Sequence, residues 1–200
     1  MEQRVKSLYK ALKLLTYFDE EHKEAGITEL AEYSGMLKSS VFNIMRTFEE
    51  CGYVKQDSDT RKYMLGGEIV SLFSRYKVTR SIDYRVTEYL QQIRDRFKVN
   101  TYLVERDGEK AVYLCAEQSF YKKDDRLVKE GTKIPLHCTA GGKVLLGYSA
   151  VSHKESVCSG KLERFTKNTI TDGSVLKAQL EKIIYDGYAV SNEAYQLGNY

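Results

Sequence analysis

Residues 27–54 read ITELAEYSGMLKSSVFNIMRTFEECGYV, two helical patterns separated by one glycine. In the first, Leu30 and Ala31 face inward, Thr28 is placed to cap the helix, and Gly35 breaks it. In the second, Ser39 stands at the cap, and Val41, Ile44, Met45 and Phe48 recur at i, i+3, i+4 and i+7. That spacing makes an apolar stripe on one face of a longer helix. Cys51 and Gly52 close it. Upstream, Val5, Leu8, Leu12 and Leu15 mark a first helix, with Lys6, Lys10 and Lys13 on its other side. Downstream, Tyr53-Val54-Lys55, the polar tip QDSDTRK and Tyr63-Met64-Leu65 read as strand, turn and strand. Three helices with a tight turn before the third, followed by a hairpin, predict a winged helix-turn-helix. Such a unit sets the N-terminal part of its third helix in the major groove and lays the wing along the backbone.

The chemistry of that helix fits the expectation. With the apolar stripe turned to the core, Ser40, Asn43 and Thr47 face outward, and Lys38, Ser39 and Arg46 stand at the margin. Asparagine pairs bidentately with adenine, arginine with guanine, and hydroxyls reach phosphates or base edges. The wing adds Arg61 and Lys62. The expected DNA-binding residues are therefore Thr28, Lys38, Ser39, Ser40, Asn43, Arg46, Arg61 and Lys62. Residues 1–66 hold ten Lys and Arg against eleven Asp and Glu. The acids gather at residues 19–32 and at Glu49-Glu50, so the basic footprint is local. The other reading of this third of the chain is a small helical bundle with a polar surface.

Gly66-Gly67 is the first boundary. A helical pattern then runs from Glu68 to about Phe97, with Ile69, Leu72 and Phe73 on one face and Ile82, Val86, Tyr89, Leu90 and Ile93 on another. A linker helix and a domain-opening helix account for it. The period then changes to two. Residues 101–105 and 111–116 are expected strands joined through Asp107-Gly108, and residues 126–135 form a third extended piece. A helix over residues 140–148, a polar loop, a helix capped by Ser174 and a strand at Tyr188-Ala189-Val190 complete the expected α/β part.

Residues 134–147, IPLHCTAGGKVLLG, are the candidate site of that part. A nucleotide-binding loop requires a glycine five residues before the Gly-Lys pair and Ser or Thr after it; His137 and Val144 occupy those positions. His137 and Cys138 are neighbours whose side chains diverge in strand or helix, so they do not meet as base and nucleophile. They read as packing residues. The helix start at Ala140-Gly141-Gly142 offers backbone N–H groups without side chains in the way, a receptor for a carboxylate. The same glycines also suit close helix–sheet packing, and the residues leave both readings open.

Composition sets the limits. The chain has 200 residues, 30% of them charged, with a net charge of +3, an ordinary balance rather than a strongly basic one. No apolar run is long enough for a bilayer, and the charged N-terminus is not a secretory signal. Cys51, Cys115, Cys138 and Cys158 lie far apart without a CxxC pair and are expected reduced. The expected location is the cytoplasm, with no membrane partner, no metal and no cofactor.

Four blocks resemble the IclR family of bacterial transcription regulators across nearly the whole chain: residues 27–54 with the wing RKYMLG, residues 134–147, the run TKNTITDGSVLKAQLEKIIYDGYAV, and NEAYQLG near the end. The resemblance implies a GAF-like α/β effector domain that senses a small organic acid, in a dimer or a pair of dimers on a pseudo-palindromic operator. Ala140 and Gly141 match positions whose amides hold the effector carboxylate, with Gly142 beside them. Ser191 matches a ligand-facing position that is often acidic. Phe42 and Asn43 stand where the family often has histidine or tyrosine and arginine, which points to an unusual operator. The chain stops at Tyr200, just after the glycine that usually introduces the closing strands, so the effector domain is expected to be incomplete. The whole is expected to be α+β: a DNA-binding domain over 1–66, a linker helix over 67–80 and the effector domain over 81–200. The expected function is a transcription regulator, acting as a repressor under effector control and not an enzyme. The alternative from another class is a Cys-dependent enzyme or redox sensor using Cys138.

Overall fold

A computed structural model of the chain describes residues 5–80, 82, 84–120 and 128–198. It divides into two compact units, Met1–Asp83 and Tyr84–Tyr200.

The first unit contains α1 (Lys6–Leu15), α2 (Ile27–Ser34), α3 (Lys38–Glu50), β1 (Val54–Gln56), β2 (Tyr63–Leu65) and α4 (Glu68–Thr79). Its core joins Leu14, Leu30, Val41, Met45, Val54 and Tyr63, with Ile44 and Phe48 packed against them. The stripe expected on α3 thus faces the core. The stripe on α1 does not: Val5, Leu8 and Leu12 are each more than half exposed, and Leu14 is the residue of that helix that is buried. Gly35 takes a left-handed φ of 63° and lets the chain turn sharply from α2 into α3. The caps differ from expectation. Thr28 lies inside α2, whose N-terminus is closed by Glu29 Oε2 accepting the Gly26 N–H at 2.6 Å. Ser39 lies inside α3, where Leu37 holds the cap position without a side-chain hydrogen bond. β1 and β2 pair antiparallel with Val54 opposite Leu65, and Ala25 bridges to Tyr63 beside them.

The second unit contains α5 (Tyr84–Phe97), β3 (Thr101–Asp107), β4 (Lys110–Glu117), β5 (Lys133–Pro135), α6 (Ala140–Gly147), α7 (Val151–Ser159) and α8 (Gly173–Asp186). The strands form one antiparallel sheet in the order β3-β4-β5; the β3–β4 turn is Gly108-Glu109, between Asp107 and its partner Lys110, one residue on from the expected Asp107-Gly108. α5 packs on β3 and β4, with the Thr101 hydroxyl donating to the Leu90 carbonyl at 2.9 Å. Ala111, Tyr113, Ile134 and Leu136 meet Leu146 of α6 and Leu176, Leu180 and Ile183 of α8 in the core. Four expectations are corrected. The polar stretch after α6 is the helix α7, whose residues VSHKESVCS carry no apolar stripe to announce it. The cap of α8 is Asp172, whose carboxylate accepts from the Ser174 N–H at 2.7 Å. Tyr188-Ala189-Val190 is irregular rather than a strand. Of the extended piece expected over 126–135, residues 126 and 127 lie outside the described residues, the chain turns at Gly131 (φ 82°), and only Lys133–Pro135 is strand.

Candidate effector pocket and nucleic-acid interface

Lys38, Ser39, Ser40, Asn43, Arg46 and Thr47 are all exposed on α3, so the core stripe leaves the polar residues on the solvent side. Thr28 is exposed on α2. Arg61 stands at the wing tip in a left-handed conformation, φ 58°. The tip is held by the Asp57 carboxylate, which accepts from the Asp59 and Thr60 N–H groups and the Thr60 hydroxyl. Those hydrogen bonds draw its pKa below the usual carboxylate range. Two basic residues already have partners. Lys62 Nζ donates to Glu24 Oε1 at 2.8 Å, an acid on the loop before α2. Arg46 lies 3.8 Å from Glu50, a loose pair along an exposed helix. Lys62 is therefore the expected DNA contact whose charge is most compensated within the fold. Phe42 is an exposed apolar residue on the same helix, 42% accessible.

In the second unit a cavity of about 230 Å³ is lined by Tyr102, Val104, Tyr113, Val128, Thr139, Ala140, Gly141, Ser191 and Tyr195. It brings together Ala140, Gly141 and Ser191, which lie some fifty residues apart in the chain. At its edge α6 begins with Thr139, whose Oγ1 accepts the Gly142 N–H at 3.1 Å. The Lys143 N–H is taken by the Thr139 carbonyl at 2.9 Å. The N–H groups of Ala140 and Gly141 have no acceptor among the described residues. These are the two donors a helix start leaves free for an anion.

Gly142 has a different role from the one expected of it. A Cβ there would lie 2.6 Å from the Leu136 carbonyl oxygen and 2.7 Å from Thr139 Oγ1. It is a close-packing position, and its amide already serves the cap. At Gly141 an added Cβ would meet only a methyl of Val104, at 2.8 Å, on the cavity side. Lys143 does not face the cavity either. It is buried, and Nζ donates to the Val190 carbonyl at 2.6 Å and to Gln179 Oε1 at 3.2 Å. Burial lowers its pKa.

Those contacts belong to a set that sequence reasoning missed. The irregular segment carrying Ser191 and Tyr195 is pinned by its carbonyls. Besides Lys143 on Val190, Asn168 donates to Asn192 at 3.2 Å, Thr166 to Glu193 at 2.8 Å and buried Thr169 to Ala194 at 2.6 Å. Ser191 Oγ donates to the Cys138 carbonyl at 3.3 Å, next to the start of α6. The tyrosines that line the cavity were missed as well. Tyr102 and Tyr113 meet edge to face at 5.2 Å, and desolvation pushes the Tyr113 phenol up to about 12.

The cysteine alternative has no geometry behind it. Cys138 is fully buried, its thiol reaches only the Pro135 carbonyl at 3.7 Å, and burial pushes its pKa up to about 12. A reactive thiolate needs the opposite shift. His137 Nε2 is hydrogen-bonded to the Glu163 carbonyl at 2.9 Å. Among the described residues no cluster of His, Cys, Asp or Glu could hold a metal ion, and no helix is long and apolar enough to cross a membrane.

Comparison with known proteins agrees with this architecture. A family profile described as the IclR helix-turn-helix domain matches residues 7–58. A second, described as the bacterial transcriptional regulator IclR C-terminal region, matches residues 75–199. The HTH-type transcriptional regulator KdgR of Escherichia coli is 30% identical, over 97% of this chain and 73% of its own length. The crystal structure of the Thermotoga maritima IclR is 28% identical, with a TM-score of 0.74 over 96% of this chain and 77% of the other. An IclR homolog from Microbacterium hydrocarbonoxydans, solved as a complex with 4-hydroxybenzoate, shares the fold. Its TM-score is 0.83 at 18% identity, over 96% of this chain and 78% of the other. The chain is thus a DNA-binding transcription regulator and not an enzyme, and it belongs to the IclR family.

Proposed function

We propose that the chain is a cytoplasmic, sequence-specific regulator whose DNA affinity is set by a small organic acid held in the cavity at the start of α6. The observation that carries the effector assignment is the pair of unengaged N–H groups of Ala140 and Gly141 at the rim of a cavity walled by tyrosines, valines and Ser191. A helix start of this kind receives a carboxylate without a cationic side chain. At about 230 Å³ the cavity falls below the range that holds drug-sized ligands, which favours a compact acid. The 4-hydroxybenzoate of the Microbacterium homolog is of that class.

On the DNA side, Asn43 and Arg46 read bases while Lys38, Ser39, Ser40 and Arg61 engage the backbone. Thr28 stands at the start of α2 where a helix that crosses the backbone meets phosphate, and Lys62 contributes least. One winged helix reads a short half-site, so the working form is a two-fold dimer, or a pair of dimers, on a pseudo-palindrome. The exposed faces of α1 (Val5, Leu8, Leu12) and α4 (Val70, Leu72, Phe73) supply apolar surface for it. A dimer seated on its operator covers the DNA beneath, so repression relieved by effector is the simplest output.

The test is selection of binding sites from random duplex, followed by titration of the selected complex with a panel of carboxylic acids headed by 4-hydroxybenzoate. A selected pseudo-palindrome and one acid that shifts the binding curve are expected. Recovery of no common sequence would remove the DNA assignment, and binding indifferent to every acid would remove the effector assignment.

A further inference from the structure

Phe42 is out of place on α3 for a residue serving only the fold. Val41 and Met45 on the same helix are fully buried and Ile44 and Phe48 pack against the core, whereas Phe42 lies outside that cluster and is 42% exposed. It stands four residues after Lys38 and four before Arg46, so the three make one strip along the helix. Ser39 and Asn43 form the strip beside it. A phenyl ring between two cations on this face loses its remaining water only when another surface covers it, and the flanking charges suit a polyanion.

The edges of base pairs in the major groove present hydrogen-bonding groups and one apolar feature, the C5 methyl of thymine, and phenylalanine is among the side chains that meet it. The neighbouring residue, Asn43, matches the N6 and N7 groups of adenine. We propose that Phe42 is a specificity-determining residue that reads a thymine methyl adjacent to the base pair read by Asn43. The inference rests on the DNA-reading role proposed for α3 and adds to it the identity of one base. The half-site then carries a thymine at the step next to the adenine, and the ring distinguishes it from uracil, which differs only by the methyl.

The experiment uses the full chain and a duplex obtained by random-site selection. Each selected thymine is replaced singly by deoxyuridine, and affinities are measured for wild type, Phe42→Ala and Phe42→Leu. One thymine should stand out, its replacement weakening wild-type binding about fourfold, the weight of one buried methyl group. The same replacement should leave Phe42→Ala unaffected, with Phe42→Leu between the two. Because the residue is exposed, both variants should keep the wild-type unfolding midpoint. Deoxyuridine penalties of equal size in wild type and Phe42→Ala, or absent at every thymine, would overturn the assignment while selection itself succeeds. If Phe42→Ala instead weakens binding to every duplex alike, or alters the oligomeric mass, the ring serves backbone docking or assembly and the assignment is wrong. Failure to select any sequence overturns it together with the DNA reading of α3, an outcome distinct from the narrower failure.

Discussion

Gly141 and Gly142 are adjacent, yet the structure assigns them opposite sensitivities, and alanine at each is the sharpest way to separate packing from ligand binding. Alanine at either position gains up to about 1 kcal/mol of helix propensity over glycine. At Gly142 the new methyl would lie 2.6 Å from the Leu136 carbonyl oxygen, 2.7 Å from Thr139 Oγ1 and 2.9 Å from the Leu136 Cα. Two of these atoms are backbone and the third is the capping hydroxyl, so α6 itself has to shift. Overpacking of this kind costs about 1–3 kcal/mol, and a disturbed cap adds about 1 kcal/mol. The net expectation for Gly142→Ala is a loss of about 1–3 kcal/mol. At Gly141 the methyl meets one Val104 methyl at 2.8 Å, with the other Val104 atoms at 3.9 Å. A strained Val104 rotamer costs about 0.5–1.5 kcal/mol, close to what helix propensity returns, so Gly141→Ala should be near neutral in stability. Its effect appears in the cavity, which it narrows beside the two free amides. Urea unfolding followed by tyrosine near-ultraviolet circular dichroism, with calorimetric titration of the acid found by screening, reads both quantities. Wild-type stability in Gly142→Ala would show that α6 is not held by the Leu136 contact. Full effector affinity in Gly141→Ala, and also in Gly141→Asp, would refute the carboxylate receptor at this helix start.

Four other outcomes follow from the same geometry. Asn43→Ala should relax selection at one base pair, costing about 1–3 kcal/mol against the cognate site, whereas Lys38→Ala should weaken all duplexes alike and flatten the salt dependence; the reverse pattern would exchange their roles. Leu12→Glu places a charge on an exposed apolar face of α1 and should lower the oligomeric mass seen by light scattering, while an unchanged mass would move the dimer contact elsewhere. Lys143→Met removes the donor to Val190 but also a buried charge, so stability should change by no more than about 1 kcal/mol. Amide exchange in residues 188–195 should nevertheless rise, and unchanged exchange there would show that the other three anchors suffice. Burial pushes the Cys138 thiol up to about 12 in the folded chain, above the 9.0 of an ordinary thiol. The unfolded thiol therefore loses its proton first as the pH rises, and stability present below about pH 9 is lost between that and about pH 12; Cys138→Ala should flatten this alkaline limb.

How much of this was readable in advance depends on whether the information is local. The stripe on α3, the left-handed Gly35 and the β3–β4 turn at Gly108 depend on spacing within one element, and the sequence shows them directly. Caps failed more often, because Ser, Thr and Asp lie close together and only backbone geometry decides which one is used: Glu29 reaching back to Gly26, Leu37 with no side-chain cap, Asp172 rather than Ser174. Helix α7 was invisible because its few apolar residues do not repeat with a helical period.

The cavity divides along the same line. Its rim at Ala140 and Gly141 could be named from one short run, since small residues at a helix start are a local fact. Its walls come from Tyr102, Tyr113, Ser191 and Tyr195, on separate parts of the chain, and no pattern in any one of them refers to the others. The same holds for what keeps the wall in place. Carbonyls 190, 192, 193 and 194 are irregular backbone without ladder partners; that of Ala194 is buried, where an unpaired carbonyl is costly. Lys143, Asn168, Thr166 and Thr169 supply the missing donors. Lys143 thus looks in the sequence like positive charge for an anion, while in the fold it secures the segment that carries Ser191. Gly142 likewise looks like part of the receptor and instead lets α6 approach Leu136. The anion-receiving role proposed for the run therefore rests on two residues, Ala140 and Gly141, while the two that follow, Gly142 and Lys143, hold the start of α6 against Leu136 and the segment of Ser191 in place.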